Sequence, residues 1–233
     1  MSLHIKSFSV LISVLLCLIL NSSYFSNAAE TDVNCLRAIK ESLQDPLNYL
    51  SSWNFTDNTE GFICRFVGIE CWNAAENRVL NIRLSDMGLK GEFPRGIANC
   101  TSLTGLDLSN NSISGSIPSD ISMIMRFVTS LDLSYNRLSG SIPVSLANCS
   151  YLNVVKLENN LLSGQIPQEI GMLVRLKTFN VSYNNLTGPV PKFRNANARI
   201  GAGSYANNPG LCGSPLPPCR ASAAAAKPIG QET

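Results

Sequence analysis

Charge and histidine are scarce in this chain. Only 15% of its 233 residues are Asp, Glu, Lys or Arg, against roughly a quarter in an average globular protein. The formal net charge is +2, from 18 basic and 16 acidic residues. No basic block stands out, which argues against nucleic acid as a partner. The low charge does not signal disorder, because 45% of the residues are hydrophobic and can supply a core. The single His is His4, which with Lys6 precedes an apolar run over 8–20. Ser26, Asn27, Ala28 and Ala29 follow. That order reads as a secretory signal peptide over 1–29, cut after Ala28 or Ala29. The run is too short for a membrane span, which takes about 20 residues. The mature chain then lacks His. A His-based triad, a His acid–base and a His–zinc site are excluded, and neither metal nor cofactor is expected. Cleavage removes Lys6 and no acid, leaving a formal charge of +1. It also removes Cys17 and leaves seven of the 8 Cys in an oxidising compartment.

What the chain does have is a repeat, L-x-x-L-x-L-x-x-N-x-L-x-G-x-I-P. One copy is Leu103, Leu106, Leu108, Asn111, Ile113, Gly115, Ile117, Pro118. In-phase copies begin at Val128, Leu152 and Leu176, with Asn136, Asn160 and Asn184 at the Asn position. A degenerate first copy begins at Val79 and carries Met87 there. Near-constant spacing of 24 or 25 residues predicts a solenoid over 79–200. The x-L-x-L-x segment alternates, so it predicts a short strand with Leu inward and polar residues outward. The Asn sits where the chain turns inward, and its amide can satisfy otherwise unpaired backbone groups. Stacked repeats would form an Asn ladder. Met87 cannot do this, a loss an outermost repeat tolerates. Gly relieves the following bend, and Pro closes a short extended segment. The fold class is therefore an α/β repeat, a short right-handed leucine-rich-repeat solenoid. Five strands make a ladder only roughly 20–25 Å long, too short to enclose a long peptide and suited to lateral contact with another short solenoid.

Open stacks need caps. Over 30–78, Val33, Leu36, Ile39, Leu43, Leu47 and Leu50 recur at helical spacing. Asp32 is placed as the helix N-cap and Pro46 as its break, with Trp53 packing on the first strand. Cys64 and Cys71 in this cap, and Cys212 and Cys219 in a C-terminal cap over 201–220, are read as local disulfides. Each closes a short loop worth roughly 2.5 kcal/mol, and the spacing suits zinc poorly. Cys100 and Cys149 share one repeat phase and read as buried small hydrophobes. Cys35 has no evident partner and reads as a free thiol or half of an intermolecular bridge. The Ala-rich segment 221–233 reads as an exposed tail.

The chain has 24 Asn, and some form N-x-S/T sequons. Asn54, Asn99, Asn110, Asn148, Asn180 and Asn185 are glycosylation candidates, with Asn110 and Asn180 the least expected to be used. Catalysis has little support. Asp107 and Asp132 stack one strand apart, but no nucleophile or base accompanies them. A rigid polar concave strip is a binding surface by default. Arg83, Asp107, Asp132, Tyr135, Lys156, Glu158 and Tyr183 are its candidate partner-binding residues, combining mixed charge with aromatic anchors.

Several stretches beyond the repeat carry a resemblance: Asp32 to Lys40, Ile63-Cys64, Cys71-Trp72-Asn73, Glu76 to Leu80, the 25-residue second repeat with Val128 to Tyr135, Leu176 to Phe179, and Leu211-Cys212-Gly213. Together they resemble the extracellular part of small plant receptor-like kinases that bind the brassinosteroid co-receptor kinase. The resemblance implies five repeats, a single-pass plasma-membrane location and a following kinase or pseudokinase domain. It also implies a monomeric, non-catalytic module that binds a somatic embryogenesis receptor kinase type ectodomain and negatively regulates immunity and cell death. On that reading the chain is the outer part of a longer protein. As given it reads as secreted, and an alternative function is a secreted inhibitor of a cell-wall-degrading enzyme. Direct sensing of a small peptide is a third reading.

Overall fold

The computed structural model describes residues 30–57, 59–195 and 198–219. The expected signal peptide and C-terminal tail lie outside them. Among the described residues no helix is long and apolar enough to cross a membrane.

Two parallel sheets run the length of a curved stack. Strands are numbered along the chain. The concave sheet comprises β1 (Ile69–Cys71), β2 (Val79–Arg83), β4 (Gly105–Asp107), β6 (Ser130–Asp132), β8 (Val154–Lys156) and β10 (Thr178–Asn180), in that order. Only β1 is antiparallel to its neighbour, because it belongs to the cap. The second sheet comprises β3 (Lys90–Glu92), β5 (Ser112–Ser116), β7 (Arg137–Gly140), β9 (Leu161–Gln165), β11 (Asn185–Pro189) and β12 (Gly210–Cys212). The sequence pattern marked these segments only as short and extended. Their pairing into a sheet follows from identical repeat geometry, which stacks every extended segment on its counterpart. The repeat glycines Gly115, Gly140, Gly164 and Gly188 have φ of 75° to 82°, where an L side chain is strained.

The alternating apolar positions meet between the sheets. Leu84, Leu108, Leu133, Leu157 and Val181 are all fully buried. Short helical turns cover the convex side: 3-10 turns at Arg95–Asn99, Val144–Asn148 and Gln168–Met172, and α2 at Ile121–Ile124. The α turn falls in the 25-residue repeat, which has one residue more to wind. Each ladder Asn works backwards along the stack. Asn136 accepts from Ile113 N–H at 2.9 Å and donates to Leu108 O at 2.9 Å, both in the preceding repeat. Asn160 and Asn184 do the same to Leu138 and Leu162. Met87 is therefore harmless, since no repeat precedes it.

The N-terminal cap corrects three expectations. Residues 30–42 are helical and belong to the first helix, α1, so Asp32 lies inside it rather than capping it. Its buried carboxylate instead accepts from Val79 N–H at 2.6 Å and Thr101 N–H at 3.3 Å. Burial raises its pKa to about 6, although both N–H groups oppose the rise. α1 ends before Pro46, and Leu47 is 61% exposed rather than part of its apolar stripe. Trp53 stacks on Phe66 at 5.8 Å, within the cap rather than on the first strand. The cysteines differ as well. Cys64–Cys71 and Cys212–Cys219 are bridged, but so are Cys35 and Cys100. That third bond ties α1 to the loop before β4, so Cys100 is not a free small hydrophobe. Cys149, in the same phase, is buried and free, and burial pushes its thiol pKa up to about 11.

Candidate functional site

The concave sheet presents its outward side chains in register. Arg83, Asp107, Asp132, Lys156 and Asn180 form one row across five strands. Arg83 pairs with Glu70 of β1 at 3.0 Å, and Glu70 also accepts from Asn81 at 2.9 Å. Asp107 is held by its own strand end, accepting from Ser109 N–H at 2.9 Å and Ser109 O–H at 2.6 Å. Asp132 repeats this with Ser134 and adds Lys156 Nζ at 3.0 Å. Ser134 is buried as a result, so the outward serines are partly tucked beneath the strip. The hydrogen bond and charge of Asp132 hold the Lys156 ammonium above its usual pKa, with Glu158 and Asp107 adding smaller contributions.

Asp107 and Asp132 thus occupy neighbouring strands, yet one is tied into a serine turn and the other into an ion pair as well. They form a charged strip, not an acid–base dyad. Glu158 lies one step along, and desolvation raises its pKa. Its Oε2 is buried with no hydrogen-bond partner among the described residues. Tyr135 and Tyr183 flank the strip at the strand ends, each 54% exposed. Both have positive φ, 54° and 56°, a conformation costly for a bulky residue. The repeat imposes it, because Asp86, Asn110, Asn159 and Asn207 adopt it in the same phase. The seven predicted residues therefore share one face. Arg83 and Lys156 are already paired, whereas the two tyrosines stand free for contact.

Sequence reasoning missed the floor of this face. Gly105 leaves a gap between Asn81 and Ser130, and a depression of about 220 Å³ opens there, rimmed by Arg83, Asp107, Asp132 and Lys156. A Cβ on Gly105 would meet Asn81 Oδ1 at 2.4 Å. The signal was legible as a lone Gly in the strand phase. Glu70 was not, because β1 lies outside the repeat. Of the sequons, Asn54, Asn99, Asn110, Asn148 and Asn185 are exposed, while Asn180 is half-buried in β10. Asn110 is also engaged by Asp86. Among the described residues no cluster of His, Cys, Asp and Glu could hold a metal ion.

Comparison with known proteins agrees with the geometry. Residues 29–72 match the leucine rich repeat N-terminal domain family. Residues 102–124, 127–149 and 175–195 match the leucine rich repeat family. The chain is 48% identical over 118 residues to the inactive receptor-like serine/threonine-protein kinase BIR2 of Arabidopsis thaliana, covering 49% of this chain and 20% of that protein. It therefore spans about a fifth of that curated relative. The crystal structure of the BIR2 ectodomain from the same plant superposes with a TM-score of 0.77 at 48% identity, covering 80% of this chain and 96% of that one. A chain in the Arabidopsis thaliana BIR3–SERK2 complex superposes with a TM-score of 0.75 at 43% identity, covering 82% of this chain and 100% of that one. The solved BIR2 structure that the chain matches is an ectodomain. The chain belongs to the family of BIR-type leucine-rich-repeat receptor-like kinases, and its described residues are the ectodomain.

Proposed function

We propose that this ectodomain binds the ectodomain of a SERK-type co-receptor kinase through its concave face and so restrains immune and cell-death signalling. One observation carries the reading. A relative whose chain is covered end to end was crystallised in a complex named BIR3–SERK2, and three features of the concave strip here support such a contact. Its charges are held by hydrogen bonds rather than left mobile, which lowers the ordering cost of association. Tyr135 and Tyr183 supply exposed aromatic anchors of the kind that dominate interface energetics. The depression over Gly105 accepts a protruding partner side chain. By competing for the co-receptor, the module would keep it from ligand-sensing receptors without any catalytic step.

The same reading places glycans on Asn54, Asn99, Asn148 and Asn185 more than on Asn110 and Asn180. Peptide mass mapping of secreted protein checks this, and full occupancy of Asn180 would contradict it. The binding claim is tested by calorimetric titration of the ectodomain with a SERK-type ectodomain, alongside Lys156→Glu. Reversal at 156 sets an acid beside Asp132 and Glu158 and is expected to weaken association at least about tenfold. No association at roughly tens of micromolar, or equal affinity of the variant, would sink the concave-face reading.

A further inference from the structure

A second surface lies along one lateral edge, at the beginning of the concave strands. Positions 78, 102, 127, 151, 175 and 199 follow one another at the repeat spacing and hold Arg78, Ser102, Phe127, Tyr151, Arg175 and Arg199. Arg78 lies over the ring of Trp72 at 5.4 Å. Arg78 Nε donates to Ser102 Oγ at 2.9 Å, and Trp72 Nε1 donates to Ser102 O at 3.1 Å. Phe127 shares a cleft of about 200 Å³ with the neighbouring Thr101 and Leu103, and Arg126 lines it too. Phe127 and Tyr151 are 6.0 Å apart, and Arg175 lies 5.6 Å over Tyr151. Arg199 follows, its N–H bonded to Lys177 O at 3.0 Å.

Two properties set this edge apart. Its rings are open, with Trp72 52%, Phe127 51% and Tyr151 43% exposed. Its charge is mainly basic, and Arg78, Arg126, Arg175, Lys177 and Arg199 have no ion-pair partner among the described residues. Two acids lie near its Arg78 end: Asp32, buried beneath Val79 and Thr101, feels the Arg78 charge, and Glu76 accepts from Asn73, whereas Arg126, Arg175, Lys177 and Arg199 stand further along the row. The concave strip is the reverse, with Glu70, Asp86, Asp107, Asp132 and Glu158 against Arg83 and Lys156. The two surfaces therefore differ in their dominant charge.

We propose that the lateral row is a binding site for an acidic polysaccharide built of uronate sugars. Charge complementarity calls for a polyanion, and the rings narrow the class. A uronate carries a carboxylate for a guanidinium and, on the same unit, an apolar CH face for an aromatic ring. A polyglutamate segment would satisfy the cations and leave Trp72, Phe127 and Tyr151 in water. The row's translational repeat, roughly 4.8 Å per step, suits an extended periodic chain. This site is independent of the co-receptor reading.

Titration with a polygalacturonate oligomer tests it, with a neutral α-glucan oligomer and polyglutamate of similar length as comparators. The uronate oligomer is expected to bind, the glucan not, and polyglutamate more weakly than the uronate. Tyr151→Ala and Arg175→Gln should each weaken uronate binding about fivefold. Arg137→Gln, the same charge change on β7, should leave it unaltered. Both test positions are exposed, and matching thermal unfolding verifies that the variants are folded. Failure of the uronate to bind overturns the proposal. So does polyglutamate binding as tightly as the uronate, with Tyr151→Ala harmless to both, which would make the edge a docking site for an acidic protein segment.

Discussion

The two ends of the solenoid face the same problem and solve it differently. At the N-terminal end α1 covers the first repeat and is bonded to it across the sequence, by Cys35–Cys100 with a separation of 65 residues and by Asp32 to Val79 and Thr101. At the C-terminal end the repeat's own chemistry simply continues. Asn208, 24 residues after Asn184, accepts from Leu186 N–H at 3.0 Å and donates to Val181 O at 2.9 Å. Strand β12 then extends the second sheet, and a local bridge with a separation of 7 secures it. The difference follows from direction. Each ladder Asn serves the repeat before it, so the last repeat needs one more Asn, whereas the first repeat has nothing upstream to serve and needs an unlike element.

The disulfides give the largest expected contrast. In the chain-entropy model, closing the Cys35–Cys100 loop contributes about 4 kcal/mol and the Cys212–Cys219 loop about 2.5 kcal/mol. The double variant Cys35→Ser/Cys100→Ser should lose correspondingly more in urea denaturation than Cys212→Ser/Cys219→Ser. Equal losses would break the contrast. Next comes Asp32. Burial pushes its carboxyl up to about 6 when folded, against 3.8 for an ordinary aspartate, so between those values the folded chain holds the extra proton. Its contribution to stability is therefore full below pH 3.8 and is lost as pH rises through 6, a difference of about 3 kcal/mol. The C-terminal cap over 201–219 contains no acid and offers no such dependence. Denaturation midpoints at pH 4.5 and 7 should differ less in Asp32→Asn than in the parent; an unchanged difference would place the pH dependence elsewhere.

At the other end, Asn208→Ala leaves Leu186 N–H without its side-chain acceptor and removes one of the two amide donors to Val181 C=O, which keeps Asn184. A loss of about 2 kcal/mol is expected, and faster hydrogen exchange at Leu186 should report it locally. Exchange at the parent rate would mean that the last rung is not needed. The smallest effect belongs to Met87→Asn. With no repeat upstream, the new amide has nothing to bridge, and stability should change by at most about 0.5 kcal/mol. A clear gain would show that the ladder is not directional.

Much of this was legible because the repeat is. The period located the concave strands, the buried Leu positions and the Asn ladder from Asn111 to Asn184. It also placed the candidate face, since alternation alone puts Asp107, Asp132 and Lys156 on one side. What the period does not encode had to come from the structure. The Cys35–Cys100 bond joins a cap residue to a repeat residue, and pairing over such a distance leaves no spacing signature. Asp32 has the residue type and place of an N-cap, but Glu30 and Thr31 before it are already helical and its carboxylate serves distant backbone. Glu70 reaches Arg83 only because β1 pairs antiparallel to β2. Asn208 was readable in principle, being in phase, but the cap motif around Cys212 masked it.

The central claim is that the concave face is the co-receptor contact. Its most direct test is hydrogen exchange of this ectodomain with and without a SERK-type ectodomain at saturating concentration. The account predicts protection concentrated at strand-end amides of the concave face, including those of Tyr135 and Tyr183, with the convex turns at Val144–Asn148 and Gln168–Met172 unchanged. Protection confined to those turns, or to the second sheet, would contradict it.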